Sequence, residues 1–332
     1  MLRAMDSAVA GLRAHQNKMD VVGHNIANVN TFGYKAQTYT FKEAMYQTST
    51  ASTAGAGGAN GSAGTNAAQY GYGTLMGSIG MDMTSSTPSY VGGFNATIDG
   101  EGFFITSPEK KTTGFGADAD IKGENFNYTR VGQFMVDSNG YIVDANKNFV
   151  YGYRSELTDG KVTGTADELT TLRLPIQNNP GDDLAMGDEA DDKPVISIAI
   201  EVNAFGKITA TVQTQEKITD PNDATKTEIV KTSKTIEIGQ LAIATFQNPN
   251  GLTKAGGNYY VTNENDNAGQ VAAGKPGEGG AASLMTGYIE SSNVDLAKEF
   301  ADMITTHRGF QANSKMITVS DEILQELVNM KR

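Results

Sequence analysis

Residues that commonly carry chemistry are few in this chain, and their spacing does not match a catalytic or metal site. There is no cysteine, which excludes disulfides, thiolate catalysis and cysteine-based zinc sites. The three histidines, His15, His24 and His307, have no carboxylates around them at the spacing of a metal triad. We therefore predict no catalytic residue, no metal ligand and no cofactor.

Three glycine- or aspartate-rich stretches resemble functional loops only superficially. Asp137-Ser138-Asn139-Gly140 begins like a calcium loop but lacks the bidentate glutamate six residues after its glycine. The glycine-rich run 55–64 lacks the lysine of a phosphate-binding loop, and no helix pattern follows Gly100-Glu101-Gly102. These stretches are typical of turns, and the chain does not look like an enzyme.

Composition indicates a folded, turn-rich protein whose charge is uneven. The chain has 332 residues, 38 glycines and a net charge of −12. Residues 1–47 carry five basic and three acidic side chains, and residues 290–332 carry five basic and seven acidic ones. The excess of acidic side chains therefore lies in the middle of the chain. An acidic body argues against nucleic-acid binding, which needs a basic face. No apolar run is long enough to span a membrane, and the N-terminus is too polar for a cleaved signal peptide.

The two ends of the chain carry matching helical patterns. Apolar residues recur at steps of three and four over roughly four to five heptads from 291 to 332, and again from residue 2 to about 28. We interpret them as two helices that pair through an apolar seam, with Ser292 or Asn293 capping the second helix. The predicted seam residues are Leu2, Met5, Val9, Leu12, Met19, Ile26, Leu296, Phe300, Met303, Phe310, Ile317, Leu324 and Val328.

The polar rungs His307, Ser314 and Asp321 interrupt the second stripe, and we expect them to make contacts outside the pair. Each stripe is also wider than a two-helix pair can hide. We therefore expect an isolated chain to expose apolar surface on these helices.

Between the helices the pattern is mainly that of antiparallel β-structure. Short apolar runs with turns about every ten residues extend from Thr74 to Phe246. We predict an α+β protein, with a helical coiled-coil domain at 1–33 and 291–332 and a β-rich domain at 34–290. Within the latter, 48–73 is a flexible low-complexity segment. Residues 34–47 are extended, with a helical turn at their end, and 214–234 is a polar excursion. Residues 155–234 form either part of this domain or a small outer subdomain.

Several motifs resemble those of the bacterial flagellar rod and hook axial proteins. They are MDVVGHNIANVNTFGYK at 19–35, DGEGFF at 99–104, YTRVGQF at 128–134, GLTKAGGNY at 251–259 and GYIESSNVDL at 287–296. RGFQANSK at 308–315 completes the series, while His24 stands where the family usually has asparagine. The motif residues carried over from the family are Asn25, Ala27, Asn28, Gly33, Asn293, Val294, Asp295, Arg308 and Asn313.

The resemblance implies an axial structural subunit that polymerises into a helical tube. It implies paired terminal helices around a channel, a β-rich outer part and export through the flagellar apparatus without a cleaved signal. The expected partners are further copies of the chain, the rod, the hook cap and the hook–filament junction proteins. Such a protein is found in the flagellar basal body or hook, outside the cell.

Within the family, two features favour the hook subunit over the distal rod subunit. The ending DEILQELVNMKR resembles that of short Gram-positive hook subunits, and 22–28 is nearer the hook version. The distal rod subunit is the alternative. A secreted surface- or glycan-binding β protein also accounts for the middle of the chain, but it leaves the two heptad stripes unexplained.

Overall fold

The computed structural model describes residues 2–55, 63–110, 115–116, 121, 124–158, 161–174, 195–220, 223–263 and 265–330. It confirms the predicted α+β class, with a helix at each end of the chain and antiparallel strands between them. No helix in these ranges is long and apolar enough to cross a membrane. The acidic stretch 182–192 and the centre of the low-complexity segment, 56–62, lie outside the described residues.

The chain divides into two compact units. The first, here called the helical unit, comprises Met1–Asn30, Lys35–Asp82 and Asn293–Arg332. The second, the sheet unit, comprises Thr31–Tyr34 and Met83–Ser292. The predicted domain boundaries at 33 and 291, and the outer subdomain at 155–234, stay predictions.

The helical unit contains two helices and four strands. Its elements are α1 Leu2–Ala27, β1 Gln37–Glu43, β2 Tyr46–Thr50, β3 Ala68–Gly71, β4 Thr74–Met81 and α2 Leu296–Met330. Strand β1 pairs with β4 and β2 with β3, both antiparallel, as two two-stranded sheets. Backbone hydrogen bonds from Ala44 N–H to Gly73 O (2.9 Å) and from Tyr72 N–H to Met45 O (3.1 Å) join the two pairs into one long hairpin, here called the ribbon. The helical turn predicted near residue 47 is wrong, because β2 begins at Tyr46 and this segment completes the ribbon's hydrogen bonds.

Helix α1 ends where the sequence predicts, just before the asparagine-rich turn. Helix α2 begins later than predicted, and its cap is Asp295, not Ser292 or Asn293. Oδ1 of Asp295 accepts hydrogen bonds from the backbone N–H groups of Ala297 (2.9 Å) and Lys298 (3.3 Å). These bonds satisfy donors that the first turn leaves without an intrahelical partner.

Within its described residues, the sheet unit contains eighteen strands, all with antiparallel pairing. They are β5 Pro88–Tyr90, β6 Ala96–Asp99, β7 Phe103–Ser107, β8 Phe115–Gly116, β9 Asn127–Thr129, β10 Phe134–Val136, β11 Ile142–Asp144, β12 Phe149–Thr158, β13 Lys161–Thr171, β14 Val195–Val202, β15 Lys207–Asp220, β16 Asp223–Leu241, β17 Ile243–Phe246, β18 Thr253–Gly256, β19 Tyr259–Val261, β20 Val271–Gly274, β21 Ser283–Thr286 and β22 Tyr288–Glu290. The main path of the large sheet runs β14-β15-β16-β12-β7-β9-β19-β18.

The core of the sheet unit is apolar and contiguous. It is formed by Ala96, Ile98, Phe104, Phe134, Ile142, Val150, Leu172, Leu174, Val202, Ile208, Ala210, Ile238, Leu241, Ile243 and Leu284. Most of these residues come from runs that the sequence identifies as strands. The unit therefore has its own hydrophobic core, as an independently stable domain requires.

Two sequence expectations about the middle are corrected. The polar excursion at 214–234 is a strand hairpin, since β15 pairs with β16 from Lys207↔Gln240 to Asp220↔Asp223. The glycine- and asparagine-rich pattern of 256–287 predicts a loop with one strand at 259–261, but this stretch holds three strands, β19, β20 and β21. Both segments contain few apolar residues, and they form strands because their backbones hydrogen-bond to neighbouring strands.

Candidate assembly surface

The two terminal helices pack side by side and antiparallel within the helical unit. Lys18 Nζ lies 3.2 Å from Asp302 Oδ1, and Asn25 Nδ2 lies 3.1 Å from Glu299 Oε1. Near the start of α1, Gly11 lies against Asn313 of α2. Because partner numbers on α2 fall as those on α1 rise, the chain's two ends run in opposite directions. In this register the last turns of α2 extend beyond the beginning of α1.

The buried residues of α1 are mostly small. They are Ala8, Gly11, Ala14, Val21, Val22 and Asn25, with three-residue steps from Ala8 to Ala14 and from Val22 to Asn25. This face lies one residue before the predicted apolar stripe. Small side chains allow two helix backbones to approach closely, so the close contact uses this face and leaves the bulky stripe on its flank.

The predicted seam residues are therefore not the centre of the helix contact. On α1, Met5, Leu12, Met19 and Ile26 are half-buried and Val9 is exposed, while the side chain of Leu2 lies outside the described residues. On α2, Met303, Phe310, Ile317 and Leu324 are half-buried, whereas Leu296, Phe300 and Val328 are exposed. The seam therefore stays a prediction, and Val328 lies on the turns of α2 that extend past the beginning of α1.

The polar residues of α2 that face α1 lie one residue before the three polar positions singled out in the sequence. His307, Ser314 and Asp321 are exposed, and the positions facing α1 are Thr306, Asn313 and Ser320, with Glu299 one heptad earlier. The inward face of α2 thus carries a polar side chain every seven residues. A polar contact face of this kind favours one register over others, as buried polar residues do in coiled coils.

Two glycines form reciprocal close contacts between the helices. A Cβ placed on Gly309 would lie 2.6 Å from Cε1 of His15, and one on Gly11 would lie 2.7 Å from Nδ2 of Asn313. Each glycine therefore leaves the space that a polar side chain of the other helix occupies. Since the two contacts lie four residues apart on both helices, together they fix the register of the pair.

Gly309→Ala is expected to destabilise the helix pair by about 1–3 kcal/mol, because the added methyl group overlaps the His15 ring. Gly23→Ala is the matched control, since nothing lies within 4 Å of the Cβ that it adds. It should stabilise α1 by about 0.5–1 kcal/mol through helix propensity. Thermal unfolding followed by helical ellipticity measures both, and equal effects would contradict the close contact at Gly309.

Asn25 joins both helices to the ribbon. Its side chain donates to the backbone oxygen of Gln37 (2.8 Å), accepts from the backbone N–H of Gln37 (2.9 Å) and donates to Glu299 (3.1 Å). The residue is buried, and burial raises the pKa of the Glu299 carboxyl while the bond from Asn25 opposes that rise. One amide therefore links α1, α2 and β1.

Asn25→Ala should lower the free energy of unfolding of the helical unit by about 1–3 kcal/mol, because buried groups of Gln37 and Glu299 lose their partner. Asn17→Ala, at an exposed position of the same helix, should change it by less than about 0.5 kcal/mol. Chemical denaturation followed at a helix-specific signal compares the two. A loss at Asn25 no larger than at Asn17 would argue against this junction.

Asn293 closes the helical unit from the other end of the chain. Its Oδ1 accepts from the backbone N–H of Ala36 (2.7 Å), and its Nδ2 donates to the backbone oxygen of Asp82 (2.9 Å). The backbone N–H of Asp82 in turn donates to Ala36 (2.9 Å). The motif residue Asn293 thus holds the two ends of the ribbon together immediately before α2.

The remaining motif residues have varied environments. Asn28 donates to the backbone oxygen of His24 (2.9 Å), while Ala27 and Arg308 are exposed and Val294 is half-buried. Gly33 belongs to the sheet unit, where its N–H donates to the backbone oxygen of Glu290 (2.8 Å). Its φ of +67° and the Val131 side chain, 2.7 Å from an added Cβ, both require glycine.

A buried ion pair that the sequence analysis missed joins three motifs of the sheet unit. Arg130 Nε lies 3.7 Å from Glu290 Oε2, and both side chains are only 2% exposed. Arg130 also donates to the backbone oxygen of Gly100 (2.7 Å), and Glu290 accepts from the backbone N–H of Ser86 (3.1 Å). Burial lowers the pKa of the Arg130 guanidinium, and Glu290 opposes that change. The sequence offered one signal for this pair, since Arg130 and Glu290 each stand among apolar residues in a motif.

Exposed apolar side chains are concentrated in the helical unit. Of the twenty-two large apolar residues exposed in the described ranges, seventeen belong to this unit, although it is the smaller one. On α2 they are Leu296, Phe300, Ile304, Met316, Val319, Ile323, Leu327, Val328 and Met330. On the ribbon they are Phe41, Met45, Tyr46, Tyr70, Leu75, Met76 and Ile79, and on α1 Val9. Apolar surface of this extent, rich in methionine and aromatic residues, indicates a protein interface.

Comparisons with known proteins identify flagellar rod and hook proteins as similar to this chain. A family model for the flagellar basal body rod FlgEFG protein C-terminal region matches residues 285–330, and one for the flagella basal body rod protein matches 5–35. The chain is 36% identical to the flagellar basal-body rod protein FlgG of Bacillus subtilis (strain 168), with both chains covered in full.

Hook proteins are also similar to this chain, but they match it with large insertions or over only part of its length. It is 27% identical to the flagellar hook protein FlgE of Borreliella burgdorferi across the full length of both, in an alignment of 466 positions. More than a hundred of those positions have no counterpart among the 332 residues here. Identity to the hook protein FlgE of Caulobacter vibrioides is 50%, over 99 residues that cover 30% of this chain and 16% of that protein.

Proposed function

Because this chain belongs to the family of flagellar basal-body rod and hook proteins, we propose that it is a structural subunit of the distal rod. The observation that carries the proposal is its full-length similarity to a rod protein, at 36% identity and with almost no insertions, in an alignment of 334 positions. This reverses the preference for the hook subunit that the ending of the chain suggested. The match to rod protein extends over the whole length, whereas the C-terminal ending is only one short segment.

The physical basis of the function is polymerisation through the helical unit. Burying its exposed apolar residues on α2 and on the ribbon is favourable. A second copy of the chain presents apolar surface of the same kind that can bury them. Contacts between unlike surfaces of identical subunits do not have to close, so they generate a helical tube. In the proposed polymer the helix pair lines the export channel.

The partners and location follow from this function. The subunit contacts further copies of itself, neighbouring rod and hook subunits and the flagellar export apparatus. It leaves the cell through that apparatus and is found in the basal body. Its work is mechanical, and no catalytic step is involved.

A hook subunit is the second candidate, favoured by the 50% identity to a hook protein over 99 residues. Gold labelling of an epitope-tagged chain on isolated hook–basal bodies separates the two. Label on the rod, below the hook, supports the proposed function. Label along the hook supports the second candidate, and absence of the tagged chain from the particles would overturn both.

A further inference from the structure

His15 of α1 is half-buried where α1 packs against α2 and β1. Its ring occupies the space above Gly309 of α2, and the ring centroid is 5.3 Å from that of Phe41 on β1. Lys18 follows one turn later on α1, with its ammonium 5.9 Å from the same Phe41 ring. An imidazole at this position is therefore enclosed by a helix backbone, an aromatic ring and a cation.

This environment accepts a neutral ring and opposes a charged one. Nδ1 of His15 is buried and has no hydrogen-bond partner among the described residues. A neutral imidazole leaves one nitrogen without a proton, but an imidazolium carries N–H on both nitrogens and needs two acceptors. Protonation would thus add a buried donor without an acceptor as well as a positive charge near Lys18.

We infer that His15 makes the pairing of α1 and α2 sensitive to acid, so that the pair is ordered at neutral pH and loosens as His15 is protonated. The neighbouring contact of Asn313 with Gly11 has the same geometry but cannot titrate. One close contact therefore sets the register at any pH, while the other responds to protons.

The charged groups around His15 do not supply a counter-ion for it. On its own helix, Lys18 is positive, and its ammonium is paired with Asp302 of α2 at 3.2 Å. Arg308, next to Gly309 on α2, adds a further positive charge, and Lys42 and Glu43 follow Phe41 on β1 with opposite charges. Burial lowers the pKa of the His15 imidazole below 6.5, and the charge of Lys18 adds to that effect.

The sign of the pH dependence follows from this lowered pKa. Well above pH 6.5 the His15 ring is neutral in both the folded and the unfolded chain, so protonation of His15 does not reduce the stability of the helix pair. As the pH falls below 6.5 the unfolded chain takes up the proton first, so the helix pair loses stability. The unfolding equilibrium constant then rises by up to about tenfold per pH unit. Glu299, whose pKa is raised, acts in the opposite sense, and its contribution is common to all variants compared below.

The test compares three single variants of the full-length chain, one for each histidine. Helical ellipticity at 222 nm is followed during thermal unfolding between pH 7.5 and 5.5, because the two helices supply most of that signal. The wild type, His24→Gln and His307→Gln should all lose stability on acidification, since His24 and His307 are exposed. His15→Gln should lose most of that dependence. A wild type that is insensitive to pH, or a His15→Gln chain that keeps the full dependence, would overturn the inference.

A direct titration keeps the inference testable if His15→Gln folds poorly. The Hε1 resonance of His15 in the wild-type chain, assigned by its loss in the variant spectrum, should titrate with a midpoint below 6.5. A midpoint at or above 6.5 would refute the proposed acid response. Neither measurement depends on polymerisation, so the inference and the proposed rod function can fail separately.

Discussion

A chain carrying Ile323→Asp is expected to fold and be exported as the wild type is, and to fail to polymerise. Ile323 lies on an exposed stripe of α2 with Met316, Val319, Leu327 and Met330, at steps of three and four residues. Because the side chain already faces solvent in the isolated subunit, the carboxylate costs little there. In a polymer it would be an unpaired charge inside an apolar contact, which costs about 3–5 kcal/mol at each interface.

Ile323 tests the assembly surface better than the neighbouring seam residue Leu324. Leu324→Asp should also permit export and abolish polymerisation, but Leu324 is half-buried and its substitution also perturbs the unit's own packing. Gln311→Asp, an exposed polar position on the same helix, is the matched control. Sedimentation and negative-stain microscopy measure polymer formation, and swimming motility reports function in cells. Tubes of normal length from Ile323→Asp would rule out this stripe as an assembly contact.

The second large effect is expected at the buried ion pair of the sheet unit. Arg130→Met should lower the free energy of unfolding of that unit by about 3–5 kcal/mol, because Glu290 is left as a buried charge without its cation. The backbone oxygen of Gly100 loses a hydrogen bond in the same variant. Methionine keeps much of the arginine's volume, so the loss reports the charge and hydrogen bonds more than a cavity.

Lys207→Met provides the matched control for this change. Lys207 Nζ lies 3.0 Å from Glu237 Oε1, a shorter distance than in the Arg130 pair, but its side chain is 43% exposed. Solvent screens such a pair, and its removal should cost less than about 1 kcal/mol. Urea denaturation followed by tyrosine fluorescence compares the two variants. Similar losses at both positions would show that burial does not govern the strength of these pairs.

The sequence predicts the existence of both terminal helices well but not the face through which they meet. Heptad spacing identifies α1 and α2, because residue spacing on a helix is a local property of the chain. The contact face of α1 includes Ala8, Gly11, Ala14 and Asn25, which a search for large apolar residues passes over. The register of the pair depends on Gly309 and His15, residues almost three hundred positions apart.

In the sheet unit, the prediction is best where apolar residues alternate and poorest where they are sparse. Strands around Phe103, Phe134 and Ile243 follow from their apolar runs, and these residues line the core. The hairpin of β15 and β16 continues through residues 214–234. The composition of this segment does not indicate a strand, and the strand forms because its backbone hydrogen-bonds to the neighbouring one. β-Structure is a non-local arrangement, so a single segment contains only part of the information.

The sequence by itself therefore determined the helical ends, the β-rich middle, the uneven charge and the resemblance to rod and hook proteins. These properties depend on local periodicity, composition and motifs. Only the tertiary structure decided which residues are buried between α1 and α2 and which remain exposed for other subunits. The physical reason is that small residues and glycines allow two helix backbones to approach closely, so the bulky apolar residues that first marked each helix lie half-buried on its flanks or exposed.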